Sequence, residues 1–143
     1  MDWAPKLLAI VAAALFTSWA LYISVVEHPA RMRAGVPVAL AEFRWSYRRA
    51  APWQASSAAI SLLAGALASL ASSDWAWALG GLAVGAAIPF TLVAIMPTNR
   101  VLLGAPGAHE AEALLGRWGS LHWVRSGLGL VGLIILSSRI CLR

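Results

Sequence analysis

The stretch from Tyr22 to Met32 carries three ionisable side chains, Glu27, His28 and Arg31, directly after a long apolar run. An ionisable side chain costs about 2.5 to 3.5 kcal/mol at the centre of a membrane helix and less near the interface, so such a cluster usually has a purpose. One interpretation is a Glu27–Arg31 ion pair, four residues apart on a helix that Pro29 ends, with His28 incidental. The other interpretation is a binding or catalytic site.

A second group of side chains stands at helical spacing later in the chain. Trp118, His122 and Arg125 lie at positions i, i+4 and i+7, which places them on one face of a helix. A neutral imidazole is a general base near pH 7, and a nearby guanidinium stabilises an enolate or phenolate. Alternatively, His28 and His122 are axial ligands of a haem, or with Glu27 form a two-histidine, one-carboxylate set for non-haem iron.

The composition indicates the kind of protein that must position these groups. Of the 143 residues 60% are hydrophobic and only 12% are charged, and the mean hydropathy is +0.74. Soluble domains carry about 25% charged residues, so the sequence predicts an integral membrane protein. The net charge of +5 comes from arginines that flank apolar runs and are not interleaved with stacking aromatics, which argues against nucleic-acid binding. The single cysteine, Cys141, excludes an internal disulfide and a cysteine-based metal site.

The apolar runs predict an all-α fold, a bundle of four transmembrane helices that forms one domain over residues 1–143. The first run is about 20 residues long, enough to cross a hydrocarbon core of about 30 Å. It is too long for a signal peptide and lacks a small-residue cleavage pattern, so we expect it to be retained. An amphipathic helix over residues 38–49 is expected to lie in the membrane interface between the first two spans. The spans are predicted at about residues 7–26, 55–71, 75–96 and 119–138.

Small residues and prolines predict how these spans pack. The short break at Ser72–Asp74 makes spans two and three antiparallel neighbours. Gly81 and Gly85 form a close-packing face of span three, and Pro89 is expected to kink that span. Three glycines of span four suggest close contacts that suit a monomer and a homo-oligomer equally; these are Gly127, Gly129 and Gly132.

The basic residues predict the orientation in the membrane. Seven arginines lie in the two longer connections, against three basic residues on the other side. The excess places the two connections in the cytoplasm and both termini outside. The abundance of alanine, glycine and arginine is typical of a GC-rich bacterial source, so we expect a bacterial cytoplasmic membrane.

An even number of crossings brings the polar groups to one side of the membrane. The end of span one, the end of span three and the start of span four then share a leaflet. Aromatic residues there could simply form an interfacial belt. A cavity between helices that is lined by aromatics and a few polar groups is, however, a common type of ligand site. The side chains expected to converge are Glu27, His28, Asn99, His122 and Arg125, with Trp45, Tyr47 and Gln54 nearby.

Four short polar motifs resemble those of the DUF1772, or anthrone oxygenase-like, family of small four-helix membrane proteins. They are Glu27–Arg31, Trp45–Gln54, Pro97–Asn99 and Trp118–Arg125. The resemblance implies a helical bundle in the membrane and oxidation of an anthrone, an aromatic polyketide, to an anthraquinone with molecular oxygen. The fold transfers between members more safely than the substrate does.

The resemblance also implies roles for the polar residues. A flat, lipophilic substrate would stack on Trp45 or Trp118, and His122 or His28 would remove its acidic methylene proton. Arg125, with Asn99 or Tyr47, would then hold the enolate oxygen.

Three further polar residues are assigned to the predicted site. Glu27 joins the catalytic group, and Arg31 and Gln54 join the substrate-binding group. No cofactor is expected, with haem or non-haem iron bound by His28, His122 and Glu27 as the alternative. A third hypothesis is a non-enzymatic membrane protein that binds a lipid or supports a partner.

Overall fold

The structure, a computed structural model, describes residues 3–141, and within this range it is helical without a strand. The chain forms four helices that are each long and apolar enough to cross a membrane. The predicted all-α fold with four membrane-spanning helices is therefore confirmed, and the chain is an integral membrane protein. The helices are α1 (Trp3–Arg33), α2 (Val36–Ser72), α3 (Trp75–Leu103) and α4 (Ala108–Cys141).

Short connections arrange these helices as an up-and-down bundle. Two residues separate α1 from α2, and two separate α2 from α3, so consecutive helices are antiparallel. Each helix packs on its neighbours in sequence, and α4 returns to pack on α1. At the second turn the Asp74 carboxylate accepts a bond of 3.1 Å from the Ala76 backbone N–H and forms an ion pair of 2.9 Å with Arg139. This pair ties the start of α3 to the end of α4.

The structure corrects the prediction of a separate interfacial helix over residues 38–49. These residues form the first part of α2, a single helix of 37 residues that continues through Pro52. At about 1.5 Å per residue α2 is roughly 55 Å long, well beyond the hydrocarbon thickness of about 30 Å. Phe43 is fully buried and stacks on Tyr47 at 5.6 Å. This apolar face is covered by the other helices, which is why the segment joins the bundle.

The sequence suggested that Pro29 ends the first helix, but the helix continues past it. A π-helical turn over Ile23–Glu27 precedes it, and α1 then continues to Arg33. In that turn the N–H of His28 bonds to the carbonyl of Ile23, five residues earlier. The wider turn accommodates a proline that lacks an N–H and would otherwise clash with the preceding turn.

The same device recurs in α3. A π-helical turn over Thr91–Ile95 stands immediately before Met96 and Pro97. The regular α-helix of this span is also interrupted at Ala86, three residues before Pro89. Wide turns of this kind often occur at functional sites, and both π turns contact α4.

Glycine allows α2 and α3 to approach closely, as predicted. A Cβ added to Gly81 would lie 2.8 Å from the Ser61 carbonyl and 3.3 Å from the Cα of Gly65. Gly85 faces the Leu62 side chain in the same way. A larger residue at Gly81 would therefore push the two backbones apart.

The apolar interior divides into two clusters. The alanine-rich core lies towards the termini and uses small side chains to pack four backbones closely. The aromatic core lies at the other end, and the functional residues stand where the two meet. The alanine-rich core comprises Ala9, Ala13, Phe16, Ala20, Ala58, Ala64, Ala68, Trp77, Val84, Ala87 and Leu136. The aromatic core comprises Ile23, Ala39, Phe43, Ile95, Leu102, Leu115 and Trp118.

Two glycines of α4 provide a test of this packing. A Cβ on Gly132 would lie 2.7 Å from the Gly80 carbonyl and 2.5 Å from the Val84 side chain, whereas Gly127 has open space around it. Within the bundle, Gly127 therefore does not make the predicted close contact. We expect Gly132→Ala to destabilise the bundle by about 1–3 kcal/mol through overpacking. Thermal unfolding in detergent should show a lower Tm for Gly132→Ala and no loss for Gly127→Ala, in which the gain in helix propensity is the same. Equal melting of the two variants would contradict this account.

Candidate functional site

A small cavity of about 20 Å³ lies between α1, α2 and α4, beside the aromatic core. We call it the polar cavity, because it brings together polar side chains that the sequence distributes over three helices. Seven of the predicted site residues line it. They are Glu27, Arg31, Tyr47, Gln54, Trp118, His122 and Arg125.

His122 is held by a chain of hydroxyl groups that crosses from α4 to α1. The imidazole is 1% exposed, and its Nδ1 lies 2.9 Å from Ser24 Oγ. Ser24 Oγ lies 2.9 Å from Ser126 Oγ, which in turn donates to the backbone carbonyl of Ala20 at 3.0 Å. The Nε2 nitrogen of His122 has no hydrogen-bond partner among residues 3–141.

The backbone carbonyl at the end of this series of hydrogen bonds determines which group donates each proton. A carbonyl oxygen only accepts, so the single Ser126 proton goes to a carbonyl, that of Ala20 at 3.0 Å or that of His122 at 3.2 Å, and Ser126 accepts from Ser24. Ser24 has then used its own proton and accepts from Nδ1–H of His122. This arrangement makes three hydrogen bonds with three protons, whereas the reverse direction makes two. In a neutral ring this direction places the proton on Nδ1 and the lone pair on Nε2.

Arg125 is a buried cation without a counter-ion. It is 9% exposed, and its guanidinium carbon lies 5.3 Å from the centre of the Phe16 ring. Within residues 3–141 it has no ion pair or hydrogen bond, and its Nε is fully buried. An unpaired buried charge costs several kcal/mol, so this position suits an anionic or oxygen-bearing ligand.

Arg31 differs from Arg125 because its charge is already balanced. It forms ion pairs with Glu27, four residues before it, and with Glu42 of α2 at 2.6 Å. It also donates to Ser46 Oγ at 3.3 Å. The predicted Glu27–Arg31 pair is therefore present and also part of the cavity wall. The cation left for a ligand in this cavity is that of Arg125.

Trp118 separates the two candidate histidines. Its ring centre lies 4.7 Å from that of His122, with the planes 28° apart, and 5.3 Å from that of His28. Its indole N–H donates to Asn99 Oδ1 at 2.9 Å, and the Phe43 ring meets it edge-on at 5.2 Å. These contacts fix the Trp118 ring, which in turn forms a flat wall beside His122.

Three predicted site residues do not line the polar cavity. His28 lies behind Trp118, where its ring fills the space beside Gly119. Asn99 is fully buried and reaches the site only through Trp118. Trp45 is 65% exposed and stacks under Arg49, because two residues along a helix turn a side chain about 200° away from the face of Tyr47.

The candidate ligands for iron do not form one set in this arrangement. Within residues 3–141 no three His, Cys, Asp or Glu side chains come close enough together to hold a metal ion. The Trp118 ring stands between His28 and His122. The two-histidine, one-carboxylate geometry therefore does not fit these side chains.

Sequence reasoning missed Ser24 and Ser126. Serines are common in membrane spans, where they also bond back to their own helix, so neither stands out by type. The available signal was spacing, since Ser126 lies four residues after His122 and thus on the same face. Ser24 could be paired with them only after α1 was packed on α4.

These features define a class of protein, a helical membrane protein with a buried site that combines an imidazole and an unpaired guanidinium. The sequence model of the anthrone oxygenase family matches residues 43–135, more than half of the chain. The chain belongs to that family. The matched range begins within α2, so Ser24, Glu27 and Arg31 of α1 lie outside it.

A curated relative supports the same assignment. The chain is 42% identical over 74 aligned residues to the anthrone oxygenase AgnL2 of Paecilomyces divaricatus. The alignment covers 43% of this chain and 45% of the relative, so the match spans less than half the length of that protein. No solved structure shows a significant match.

The Trp118–Asn99 bond can be tested for its part in holding the cavity wall. We expect Asn99→Leu to destabilise the protein by about 1–3 kcal/mol, because it leaves a buried indole N–H without an acceptor. Trp118→Phe should cost less stability in the Asn99→Leu background than in the unaltered protein, since the orphaned donor is then removed. The double-mutant cycle is measured by thermal unfolding in detergent. Additive losses would show that the bond contributes nothing to stability.

Proposed function

We propose that this protein is a membrane-embedded oxygenase that oxidises a lipophilic, phenolic aromatic substrate of the anthrone type with molecular oxygen. The observation that carries the proposal is the pairing of His122 and Arg125. One has an imidazole whose Nε2 is without a hydrogen-bond partner among the described residues, and the other is an uncompensated cation less than one helical turn further along α4. Family membership and the name of the relative point to the same reaction class.

The first step in this proposal is a proton transfer. Nε2 of His122 takes the acidic methylene proton of the bound anthrone, and the electrons move to the carbonyl oxygen as an enolate. Arg125 lies on the same face of α4 and holds that oxygen, which lowers the energy of the anion in a dry site. Ser24 acts as a positioning residue, because it keeps the Nδ1 proton in place and so leaves Nε2 able to accept.

The second step uses the electron-rich enolate itself as the reductant of oxygen. The enolate gives one electron to O₂, and the resulting radical and superoxide combine to form a carbon–oxygen bond. Protonation by the His122 imidazolium gives a hydroperoxide. Removal of the remaining hydrogen from that carbon breaks the O–O bond and releases water. One anthrone and one O₂ thus give one anthraquinone and one water.

The surroundings suit such a substrate. A flat phenolic molecule partitions into the bilayer, so it can reach a site inside a bundle of membrane helices. The site is buried within a bundle of membrane helices, so water is largely absent from the developing anion. Electrostatic stabilisation by Arg125 is stronger in these surroundings than in water.

The two histidines are expected to differ in their effect on turnover. His122→Gln should lower kcat for anthrone oxidation by about 10²–10⁴-fold, the usual contribution of a general base. His28→Gln should stay within a few-fold of the unchanged protein, because that ring lies behind Trp118. Anthraquinone formation and oxygen uptake are followed in detergent or proteoliposomes, with the exposed His109→Gln as control.

Other results would overturn this assignment of the base. Full activity in His122→Gln would remove it from the reaction. A visible absorption band in the purified protein that is lost in both His28→Gln and His122→Gln would favour a haem bound by the two rings instead.

The positioning role of Ser24 has a separate test. Ser24→Ala removes the acceptor for Nδ1–H, and the loss of one hydrogen bond of about 0.5–1.5 kcal/mol corresponds to a decrease of up to about tenfold in kcat. KM should change little, because Ser24 does not line the polar cavity. Ser18→Ala is the matched control, since Ser18 lies on the same helix, is exposed and bonds only to its own backbone. A kcat equal to that of Ser18→Ala would contradict the role.

A further inference from the structure

A second cavity adjoins the polar cavity and is larger and more apolar. Its volume is about 130 Å³, and it lies mainly between α2 and α3. We call it the side chamber. Apart from the residues that it shares with the polar cavity, its wall is built mostly of apolar side chains, among them the aromatic Phe16 and the small or aliphatic Ala55, Ala58, Ala87, Ile88 and Leu92.

The two cavities differ in volume, and the volume decides what each can hold. The polar cavity, at about 20 Å³, has room for a single water-sized group. A fused aromatic ring system does not fit there. An apolar cavity of about 150 Å³ takes up benzene, so the side chamber is of the size that accepts one aromatic ring. A larger flat molecule can place one ring in the side chamber and extend out of its open side.

The wall between the two cavities carries unpaired donors. Tyr47, Gln54 and Arg125 line both of them. Gln54 is 2% exposed, and its Nε2 is buried without a hydrogen-bond partner, as is the Nε of Arg125. Buried donors are nearly always satisfied, so two on one wall indicate a ligand with an acceptor oxygen. An apolar chamber with such a wall fits an aromatic body that carries a phenol or enolate oxygen.

At the end away from the polar cavity, the side chamber opens on the outer surface of the bundle. Leu92, 58% exposed, and the exposed Ala55 form its outer rim. Both residues lie within helices that are long and apolar enough to cross a membrane, well away from the helix ends. The opening therefore faces the lipid-facing surface of the bundle between α2 and α3.

We infer that the side chamber is the binding subsite for the ring system of a flat phenolic substrate, which enters from the bilayer between α2 and α3 and places its oxygen at Gln54 and Arg125. The inference rests on the proposed oxidation, because it assigns the part of the substrate that the polar cavity cannot hold.

The test measures binding without turnover. The ligand is 1-hydroxyanthraquinone, a flat phenolic molecule that is already oxidised, and its Kd is measured from its own absorbance with detergent-purified protein. Ala55→Trp fills the rim of the chamber and should raise Kd at least tenfold. Ser56→Trp, one residue further on the exposed face of α2 and outside the chamber wall, is the matched control and should leave Kd unchanged. Both side chains point away from the close helix contacts, so Tm verifies that the bundle is intact.

A second variant tests the polar end of the chamber. Gln54→Leu should raise Kd for 1-hydroxyanthraquinone several-fold and leave binding of anthracene, which has no oxygen, unchanged. An equal loss for the two ligands would mean that Gln54 only shapes the wall, and the oxygen-binding assignment would be overturned.

The outcomes distinguish the subsite from the reaction. An unchanged Kd in Ala55→Trp, in a protein that still oxidises an anthrone, would overturn the subsite and leave the oxygenase standing. Failure of the unaltered protein to oxidise an anthrone, with Kd still sensitive to Ala55→Trp, would overturn the reaction and leave an aromatic-binding chamber. Phospholipid that copurifies with the unaltered protein, is lost in Ala55→Trp and is not displaced by the quinone would assign the chamber to an acyl chain and overturn the inference.

Discussion

The hydrogen-bond chain from the Ala20 carbonyl through Ser126 and Ser24 to His122 is the interaction on which the site depends. A polar ring inside a membrane bundle is stable only if its polar atoms find partners, and this chain supplies one partner while leaving Nε2 free. It also links α1 to α4. Close approach of the two helices is possible because Gly129 leaves room for the Phe16 and Thr17 side chains.

Of the two arginines near this imidazole, one is paired with carboxylates and the other is not. The unpaired arginine decides which ligands the site favours. Arg31 is balanced by Glu27 and Glu42, so it stabilises the fold and shapes the cavity wall. Arg125 has no such partner and rests on an aromatic ring, the kind of contact that only partly offsets a desolvated charge. The bundle thus stores an unpaired cation beside a neutral base, an arrangement that favours the anionic form of a ligand over its neutral form.

The two cavities follow from the two kinds of core. Glycine lets α2 and α3 approach closely at the end of the bundle that holds the chain termini, whereas the packing around the π turn of Thr91–Ile95 leaves the side chamber. The aromatic core then closes the other side with Phe43 and Trp118. An apolar chamber and a polar cavity therefore share one wall, which suits a substrate with a lipophilic body and one acidic edge.

The sequence by itself determined the membrane location, the four helices, the glycine contact of Gly81 and the shared face of Trp118, His122 and Arg125, because hydropathy and helical spacing are local properties. The orientation across the membrane stays a prediction from the arginine count. Tertiary structure decided which groups meet: Ser24 reaches His122, Asn99 reaches Trp118, and Trp45 faces away. Such pairings depend on the rotation of each helix about its axis, which is set by packing against its neighbours and cannot be read from any one span.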